Sequence, residues 1–294
     1  MDTRREVIRI TVRGLIVNFF LTVSKILGGI FGKSEALLAD GVHSFTDIST
    51  DVMVIVGAKY WTQPCDDDHP HGHRRIENVV TILLGLTLLG VGSFLLYRSM
   101  SGLAVRHDAV RPCTYTIWLA MISIVSKEWL YRYTALEGRR IRSSAVTANA
   151  WHHRSDAFSS IPVLAALLLA VSKPEWGFVD EIGAVLVAVI IIQISVKFIC
   201  SSFSKLVDRG AGQETRERLE KIVFFVPGVK GVHAVRTRYL GSAIAVDLHV
   251  EVDPLLSVRE GHRIAEEIET RILGRETDVV DVVVHVEPEG EGYR

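Results

Sequence analysis

The sequence predicts an α-helical membrane protein with six transmembrane helices, followed by a C-terminal α+β domain. Apolar residues make up 48% of the 294. Long stretches with few charges, each close to the ~20 residues that cross a bilayer, recur as far as Ser204. Beyond that point charged residues are frequent and apolar residues alternate, as in a soluble domain. We therefore expect a transmembrane domain over residues 1–207 and a second domain over residues 208–294.

Four of the predicted spans are clear from their apolar composition. They cover residues 8–31, 79–96, 117–133 and 182–199. A charged segment precedes the first span, but no small-residue cleavage site follows it. We therefore expect this helix to be retained and not removed as a secretory signal.

The second predicted span, residues 34–61, carries a polar stripe. Its four acidic or imidazole residues share a helix face about 80° wide. They are Asp40, His43, Asp47 and Asp51. We expect the middle two to bind a cation, and the outer two to line its route or to pair with a cation such as Lys25 of the first span.

The fifth predicted span begins inside a polar segment. Residues 157–172 are apolar but slightly short, and extending the helix back to residue 148 restores the length that a bilayer requires. This extension brings His152 and Asp156 into the span. Pro162 lies within the helix and should loosen its backbone near Phe158.

Arginines mark one set of helix ends. They precede or open the first span, lie in the second connector, and mark the end of the fourth span and the connector after it: Arg4, Arg5, Arg9, Arg13, Arg74, Arg75, Arg132, Arg139, Arg140 and Arg142. By the positive-inside rule, these loops and both termini are cytoplasmic. We expect a multi-pass protein of the cell (inner) membrane, with the lipid bilayer as its surroundings.

Two matched pairs in these spans predict a metal site. His43 and Asp47, like His152 and Asp156, are four residues apart and share a helix face. Each ionisable group in a span costs about 2.5–3.5 kcal/mol on insertion scales, so two matched pairs call for a function. Spans two and five run in opposite directions, which lets all four ligands meet near the bilayer midplane. His153 points about 100° away and is expected to be an interfacial or supporting residue, not a fifth ligand.

The ligand set favours zinc as the cargo. Two imidazoles and two carboxylates in a tetrahedral arrangement suit Zn²⁺, whereas Mn²⁺ would favour more oxygen ligands. Efflux of Fe²⁺, Mn²⁺, Cd²⁺ or Co²⁺ by the same mechanism stays an alternative. Because metal binds only deprotonated ligands, loading and release should be coupled to protons, with His152 as the expected proton carrier.

The second connector contains a possible second metal site. Asp66, His69 and His73 lie in a loop that Pro70 and Gly72 keep from forming a helix. One carboxylate and several imidazoles can hold a metal ion. The alternative is a solvated polar loop that binds ions weakly.

The C-terminal segment predicts a small α+β domain of the α-β-β-α-β, ferredoxin-like type. The helices are expected over 214–225 and 258–273, and the strands over 232–239, 243–252 and 279–287. The run 246–252 (VDLHVEV) alternates with period two, as a half-buried strand does. His285 and Glu287 are two residues apart on the last strand and share a face.

Three motifs resemble the cation diffusion facilitator family. They are 37–47 (LLADGVHSFTD), 66–73 (DDDHPHGH) and 150–156 (AWHHRSD), with a lesser match at 127–132 (KEWLYR). The resemblance covers essentially the whole chain. It implies a metal-proton antiporter with six spans, a transport site at His43, Asp47, His152 and Asp156, and a cytoplasmic domain that forms a homodimer.

The resemblance also implies features outside the membrane. Positions that form a cytoplasmic metal site in some relatives correspond to His233, His249, His262, His285 and Glu287, so Zn²⁺ is expected to be both cargo and regulator. The family often has a loop site at the places of Asp66, His69 and His73. Arg75 and Asp208 could form an ion pair. Relatives commonly have a lysine at the position of Arg75. Arg75 could equally be a positive-inside anchor.

Other functions fit the sequence less well. An intramembrane metalloprotease would need H-E-x-x-H and a general base, and neither is found, so no enzyme activity is expected. A metal-sensing receptor would not need ligands inside the bilayer. The three cysteines, Cys65, Cys113 and Cys200, lie far apart without C-x-x-C spacing, so the sequence suggests neither a disulfide framework nor a thiolate zinc site. The expected partners are a second copy of the chain, the bilayer, divalent metal ions and protons, with no nucleic acid.

Overall fold

The computed structural model describes residues 3–61, 63–104, 111–140 and 144–290. The chain divides into two compact units. The first contains residues 1–54 and 84–196, and the second contains residues 55–83 and 197–294. The predicted boundary between a transmembrane domain and a cytoplasmic domain, at residues 207 and 208, is not tested by these two units and stays a prediction.

Long helices make up the described part of the chain before residue 207. In order they are α1 (Thr3–Gly32), α2 (Glu35–Trp61), α3 (Ile76–Ala104), α4 (Tyr115–Arg140), α5 (Ser144–Ser159), α6 (Ile161–Ser172) and α7 (Phe178–Leu206). A short 3-10 helix, Pro174–Trp176, joins the last two.

Four segments of the described residues are long and apolar enough to cross a membrane: Arg9–Gly32, Ile76–Ala104, Asn149–Ser172 and Phe178–Leu206. They correspond to predicted spans one, three, five and six. The helices α2 and α4 are 27 and 26 residues long, but their described residues are not apolar enough to be identified as spans by composition. A helical membrane region is confirmed, and the crossing of α2 and α4 stays a prediction.

The fifth predicted span is one apolar segment, Asn149–Ser172, made of α5 and α6. The predicted single helix, loosened near Phe158, is interrupted at Ser160, between α5 and α6. Pro162 lies at the start of α6 because a proline at the first helical turn has no hydrogen bond to lose. The backbone N–H of Ser160 still donates to Asp156 at 3.3 Å, and the carbonyl of Ser160 accepts from Leu164 at 3.1 Å. The break therefore places Ser160 beside Asp156 with few unsatisfied backbone groups.

Two glycines let α1 and α2 approach closely. A Cβ atom on Gly29 would lie 2.6 Å from the backbone nitrogen of Leu38, and one on Gly41 would lie 2.9 Å from that of Ile26. Small residues at such crossings bring backbones together in membrane helices. The crossing brings Lys25 of α1 against Asp40 of α2.

The C-terminal region has the predicted order α-β-β-α-β. Its elements are α8 (Gln213–Phe224), β1 (Gly231–Leu240), β2 (Ala243–Val252), α9 (Val258–Arg275) and β3 (Val279–Pro288). β2 is the central strand, antiparallel to β1 and parallel to β3. A capping box at Ser257 and Glu260 begins α9. The predicted small α+β fold is confirmed.

The core of this region is apolar and internal to it. Its most buried members come from both helices and the central strand: Leu219, Val223, Val246, Leu248, Val250, Ile268 and Ile272. The period-two pattern on β2 points these valines and leucines into the core. The same alternation places His249 on the other face of the strand.

Candidate metal sites

A buried cluster of ligands lies between α2 and α5. His43 and Asp47 are one helical turn apart on α2, and Asp156 lies on the last turn of α5. One ligand atom from each lies within 4.8 Å of the others. His43 and Asp156 are buried, and Asp47 is partly buried. The predicted pairing of the second and fifth spans thus brings three of the four predicted ligands together.

His152 lies beside this cluster but outside it. Its Nδ1 atom is 3.8 Å from Oδ1 of Asp156, and its side chain is 52% exposed. The i,i+4 spacing places both residues on one face, as predicted, but His152 is not in the group whose ligand atoms lie within 4.8 Å of one another. The neighbouring His153 is buried, with Nε2 3.5 Å from Asn149 Nδ2, and it is not in the ligand group.

Lys127 of α4 is a contact of the cluster that the sequence analysis missed. Its ammonium nitrogen lies 3.3 Å from Oδ2 of Asp156 and 3.5 Å from the hydroxyl of Ser44, and the side chain is 2% exposed. The available signal was a lysine within a predicted apolar span. Its partner could not be read from spacing because α4 and α5 meet only in the tertiary fold.

A second buried lysine continues this network. The ammonium nitrogen of Lys25 lies 2.6 Å from Oδ2 of Asp40 and 3.3 Å from the hydroxyl oxygens of Ser44 and Ser160. The hydroxyl of Ser160 also donates to Oδ1 of Asp40 at 2.9 Å. The predicted pairing of Asp40 with Lys25 is confirmed, whereas the side chain of Asp51 lies outside the described residues.

The second connector folds its polar residues into one group. Asp66, His69 and His73 each offer a ligand atom within 4.8 Å of the others. Oδ1 of Asp66 lies 3.3 Å from His69 Nδ1, and Oδ2 lies 3.4 Å from His73 Nε2. The His69 backbone N–H donates to Asp66 and, with the nearby imidazoles, holds the pKa of this carboxyl below its usual value. One ionised carboxylate facing two imidazoles, open to solvent, can capture a divalent cation.

The register of the C-terminal sheet aligns three histidines. His233 on β1 pairs with His249 on β2, and His249 pairs with His285 on β3. Glu251 and Glu287 form the next same-face pair along β2 and β3. A bulge between His233 and Arg236 interrupts β1 just beyond the histidine row.

Glu287 is the centre of this sheet cluster. Its carboxylate oxygens lie 2.8 Å from His249 Nδ1, 3.1 Å from His233 Nε2 and 3.2 Å from His285 Nε2. Desolvation alone would raise the pKa of Glu287, but the hydrogen bond with His249 and the charges of the imidazoles prevail and lower it. His233, His249 and Glu287 have ligand atoms within 4.8 Å of one another.

Two other residues differ from the expected set. His262 lies on α9, is 70% exposed and faces Glu266 at 3.3 Å, so it is not in the three-residue group formed by the described chain. Glu251 was not predicted, yet its Oε1 lies 3.6 Å from Nδ1 of His233. The strand register identifies Glu251, since it stands beside Glu287.

The anticipated ion pair is present. Arg75 Nη2 lies 2.5 Å from Oδ1 of Asp208, and Arg75 Nη1 donates to the carbonyl of Leu206 at 3.3 Å. Both side chains of the ion pair are exposed, so the pair contributes about 0–1 kcal/mol.

Two carboxylates and an imidazole clustered inside a helical membrane protein form a ligand set that suits a divalent cation, as in the class of divalent metal transporters. Comparison with known proteins agrees. The family model described as the cation efflux transmembrane domain matches residues 11–207. The one described as the cation efflux protein cytoplasmic domain matches residues 211–289.

Similar proteins extend over nearly the whole chain. An uncharacterised transporter of Methanocaldococcus jannaschii is 33% identical over 96% of this chain and 99% of its own length. The manganese efflux system protein MneP of Bacillus subtilis is 31% identical over 98% and 99%. The magnetosome protein MamM of Paramagnetospirillum magneticum is 27% identical over 95% and 87%. A solved MamM CTD structure, 30% identical, covers 26% of this chain and 96% of its own, with a TM-score of 0.26.

The chain therefore belongs to the cation diffusion facilitator family. It is a multi-pass membrane protein of a family that exports divalent metal cations, and it is a transporter, not an enzyme.

Proposed function

We propose that this protein exports Zn²⁺ from the cytoplasm in exchange for protons. The observation that carries the proposal is the buried cluster of His43, Asp47 and Asp156, whose ligand atoms lie within 4.8 Å of one another in the membrane region. An imidazole and two carboxylates in such surroundings are expensive unless they hold a cation.

The choice of zinc depends on His152. A turn of its imidazole towards Asp156, now 3.8 Å away, would complete a set of two imidazoles and two carboxylates. Four ligands of this kind can surround Zn²⁺ tetrahedrally, and the filled d shell of Zn²⁺ imposes no geometry of its own. We propose His152 as the fourth ligand, which joins the cluster when the ion binds.

Manganese is the second candidate cargo. The three ligands that already lie together supply oxygen from two residues and nitrogen from one, and oxygen-rich sites favour Mn²⁺. A protein 31% identical to this chain is named a manganese efflux system protein. The two cargoes differ in whether His152 is required, which makes the choice testable.

Proton coupling follows from competition for the same atoms. A metal ion binds deprotonated imidazole and carboxylate, so its release on one side of the membrane is favoured by protonation there. We propose that the cluster opens alternately to either side, loads metal from the cytoplasm and returns protonated, with His152 as a carrier of the proton.

The proposed orientation places both termini in the cytoplasm of the inner membrane. Arginines near the N-terminus, in the second connector and at the end of α4 support it by the positive-inside rule. Residues 208–294 then form a cytoplasmic domain that dimerises. The loop group of Asp66, His69 and His73 would also face the cytoplasm and could capture metal, or remain a solvated polar loop that binds it weakly.

We further propose that the sheet cluster is regulatory. His233, His249, His285 and Glu287 would bind Zn²⁺, and His262 would join from the partner subunit or after rearrangement. Metal binding would favour the dimer because it stabilises the state that presents its ligands together.

Uptake by the purified full-length protein in lipid vesicles tests the proposal. Zinc, manganese, cadmium, cobalt and ferrous iron would be compared, each with and without a pH gradient of fixed size. We expect zinc to be transported fastest and its initial rate to rise with the gradient. Equal rates with and without the gradient would contradict proton coupling, and preference for manganese would identify the second cargo.

His152→Ala distinguishes the two cargoes within the same assay. For zinc the variant should lose most transport, because a ligand is missing. For manganese held by carboxylates the loss should be smaller. The control is Glu175→Gln, which changes an exposed carboxylate in the turn between α6 and α7.

A further inference from the structure

Asp156 of the buried cluster is shared between the metal ligands and a lysine. Its Oδ2 atom lies 3.3 Å from the ammonium of Lys127, while another of its contacts, His152, faces Oδ1. Lys127 belongs to α4, which contributes no ligand to the cluster. A positive side chain thus stands within ion-pair distance of a carboxylate that a divalent cation would use.

The two buried lysines have different partners. Lys25 is held by Asp40 at 2.6 Å, and Ser160 supports this pair. Among the described residues, the carboxylate within ion-pair distance of Lys127 is Asp156. Ser44 lies between the two ammonium groups, 3.3 Å from Lys25 and 3.5 Å from Lys127. Lys127 therefore has no carboxylate partner, within that part of the chain, other than one in the proposed transport site.

We infer that Lys127 is a tethered cation that competes with the transported metal for Asp156 and thereby sets the affinity of the site. The inference rests on the proposed function, since it concerns the same cluster. Lys127 is a positioning residue and not a ligand, because an ammonium group has no lone pair to offer a metal.

The competition has a physical basis in both states. In the metal-free site, the ammonium compensates Asp156, so the empty site does not leave that carboxylate unpaired inside the membrane. When a divalent cation binds, the ammonium and the ion repel each other across a short distance in surroundings that screen charge poorly. The repulsion weakens binding and favours release.

A lysine that weakens metal binding suits a transporter more than a protein that stores metal. A transport site must bind its cargo strongly enough to load and weakly enough to release. A lysine on a third helix lowers affinity without altering the ligand geometry. It should therefore weaken the binding of all divalent cargoes similarly, whereas the ligands themselves decide which cargo is preferred.

The test compares Lys127→Met, Lys127→Gln and Lys127→Arg in full-length protein reconstituted into vesicles, with zinc as the probe. Methionine keeps the length of the side chain and removes the charge. Glutamine removes the charge but can still donate a hydrogen bond to Asp156 and Ser44. Lys173→Gln serves as a control, since this lysine is exposed and lies 4.6 Å from the Trp176 ring.

We expect the KM for zinc to fall by about tenfold in both neutral variants, because a nearby like charge is gone. The maximal rate should fall as well, since release becomes slower. Arginine should restore a KM near that of the wild type, and manganese should show the same direction of change. A merely structural role would lower the rate without lowering the KM, and arginine would not rescue it.

The outcomes separate the inference from the function on which it rests. Wild-type vesicles that transport no divalent cation would overturn both. Active wild-type vesicles, with an unchanged or higher KM in the neutral variants, would overturn the inference alone. If Lys127→Met fails to reconstitute, Lys127→Gln and Lys127→Arg still decide the outcome by the direction of the KM change.

Discussion

The membrane cluster and the sheet cluster use the same ligand chemistry in different surroundings. In the membrane region, Asp156 is buried and is shared with Lys127. In the sheet, Glu287 is surrounded by three imidazoles and lies at the edge of the domain core, where solvent reaches the ligands. The membrane carboxylate is paired with an ammonium group, whereas the sheet carboxylate faces imidazoles. This difference fits the proposed roles, which are transport in the membrane region and regulation in the sheet.

The largest effect should follow from removing a ligand of the membrane cluster. Asp156→Ala and His43→Ala should each weaken metal binding by about 100-fold or more, since a buried ligand contributes about 3 kcal/mol. Zinc tolerance conferred on an efflux-deficient host measures this loss. Both variants should give no tolerance while remaining in the membrane fraction. Tolerance equal to that of the wild type would exclude the cluster as the transport site.

A smaller effect should follow from removing the centre of the sheet cluster. Glu287→Gln should weaken zinc binding by the fragment 208–294 by about 10- to 100-fold, and should lower transport by the full chain without abolishing it. Isothermal titration of the fragment gives the affinity, and its core lies within residues 211–282. Glu220→Gln, which changes an exposed carboxylate on α8, is the matched control. No measurable zinc affinity in the wild-type fragment would remove the regulatory role.

The loop group should matter less than either cluster. His69→Ala should raise the KM for zinc by less than about tenfold, because the group is exposed and offers few ligands. His71→Ala is the control, as this histidine is not in the group. Identical initial rates for both variants over a range of zinc concentrations would favour the solvated-loop alternative.

The smallest effect is expected at the exposed ion pair. Arg75→Ala should lower the free energy of unfolding by at most about 1 kcal/mol. Arg75→Lys should be nearly neutral, since a lysine can also pair with Asp208. Thermal unfolding of the full-length protein in detergent measures both. A loss of several kcal/mol in the alanine variant would show that the contact does more than pair two surface charges.

The fold was largely predictable because local patterns determine it. Period-two alternation located β2 at its observed bounds, and the apolar stretches located the long helices. The interruption at Ser160 was only partly foreseen. Pro162 signals a weak point, but whether a helix bends or breaks depends on how neighbouring groups satisfy the freed backbone.

The site was predictable in its ligands more than in its surroundings. The i,i+4 spacing identified His43, Asp47 and Asp156, yet it cannot fix the side-chain orientation of His152. The sequence motif 127–132 includes Lys127, but the sequence does not predict what this lysine contacts. Its contact with Asp156 forms only when α4 and α5 pack together. Helix spacing is a local property, and contacts between helices are not.

The most direct test records zinc entry and proton exit together in vesicles, using dyes for both ions, with wild type, Asp156→Asn and Glu287→Gln. The wild type should show coupled signals. Asp156→Asn should lose both, whereas Glu287→Gln should keep both at a lower rate. Coupled zinc and proton movement in Asp156→Asn would contradict the central claim that the membrane cluster carries the metal.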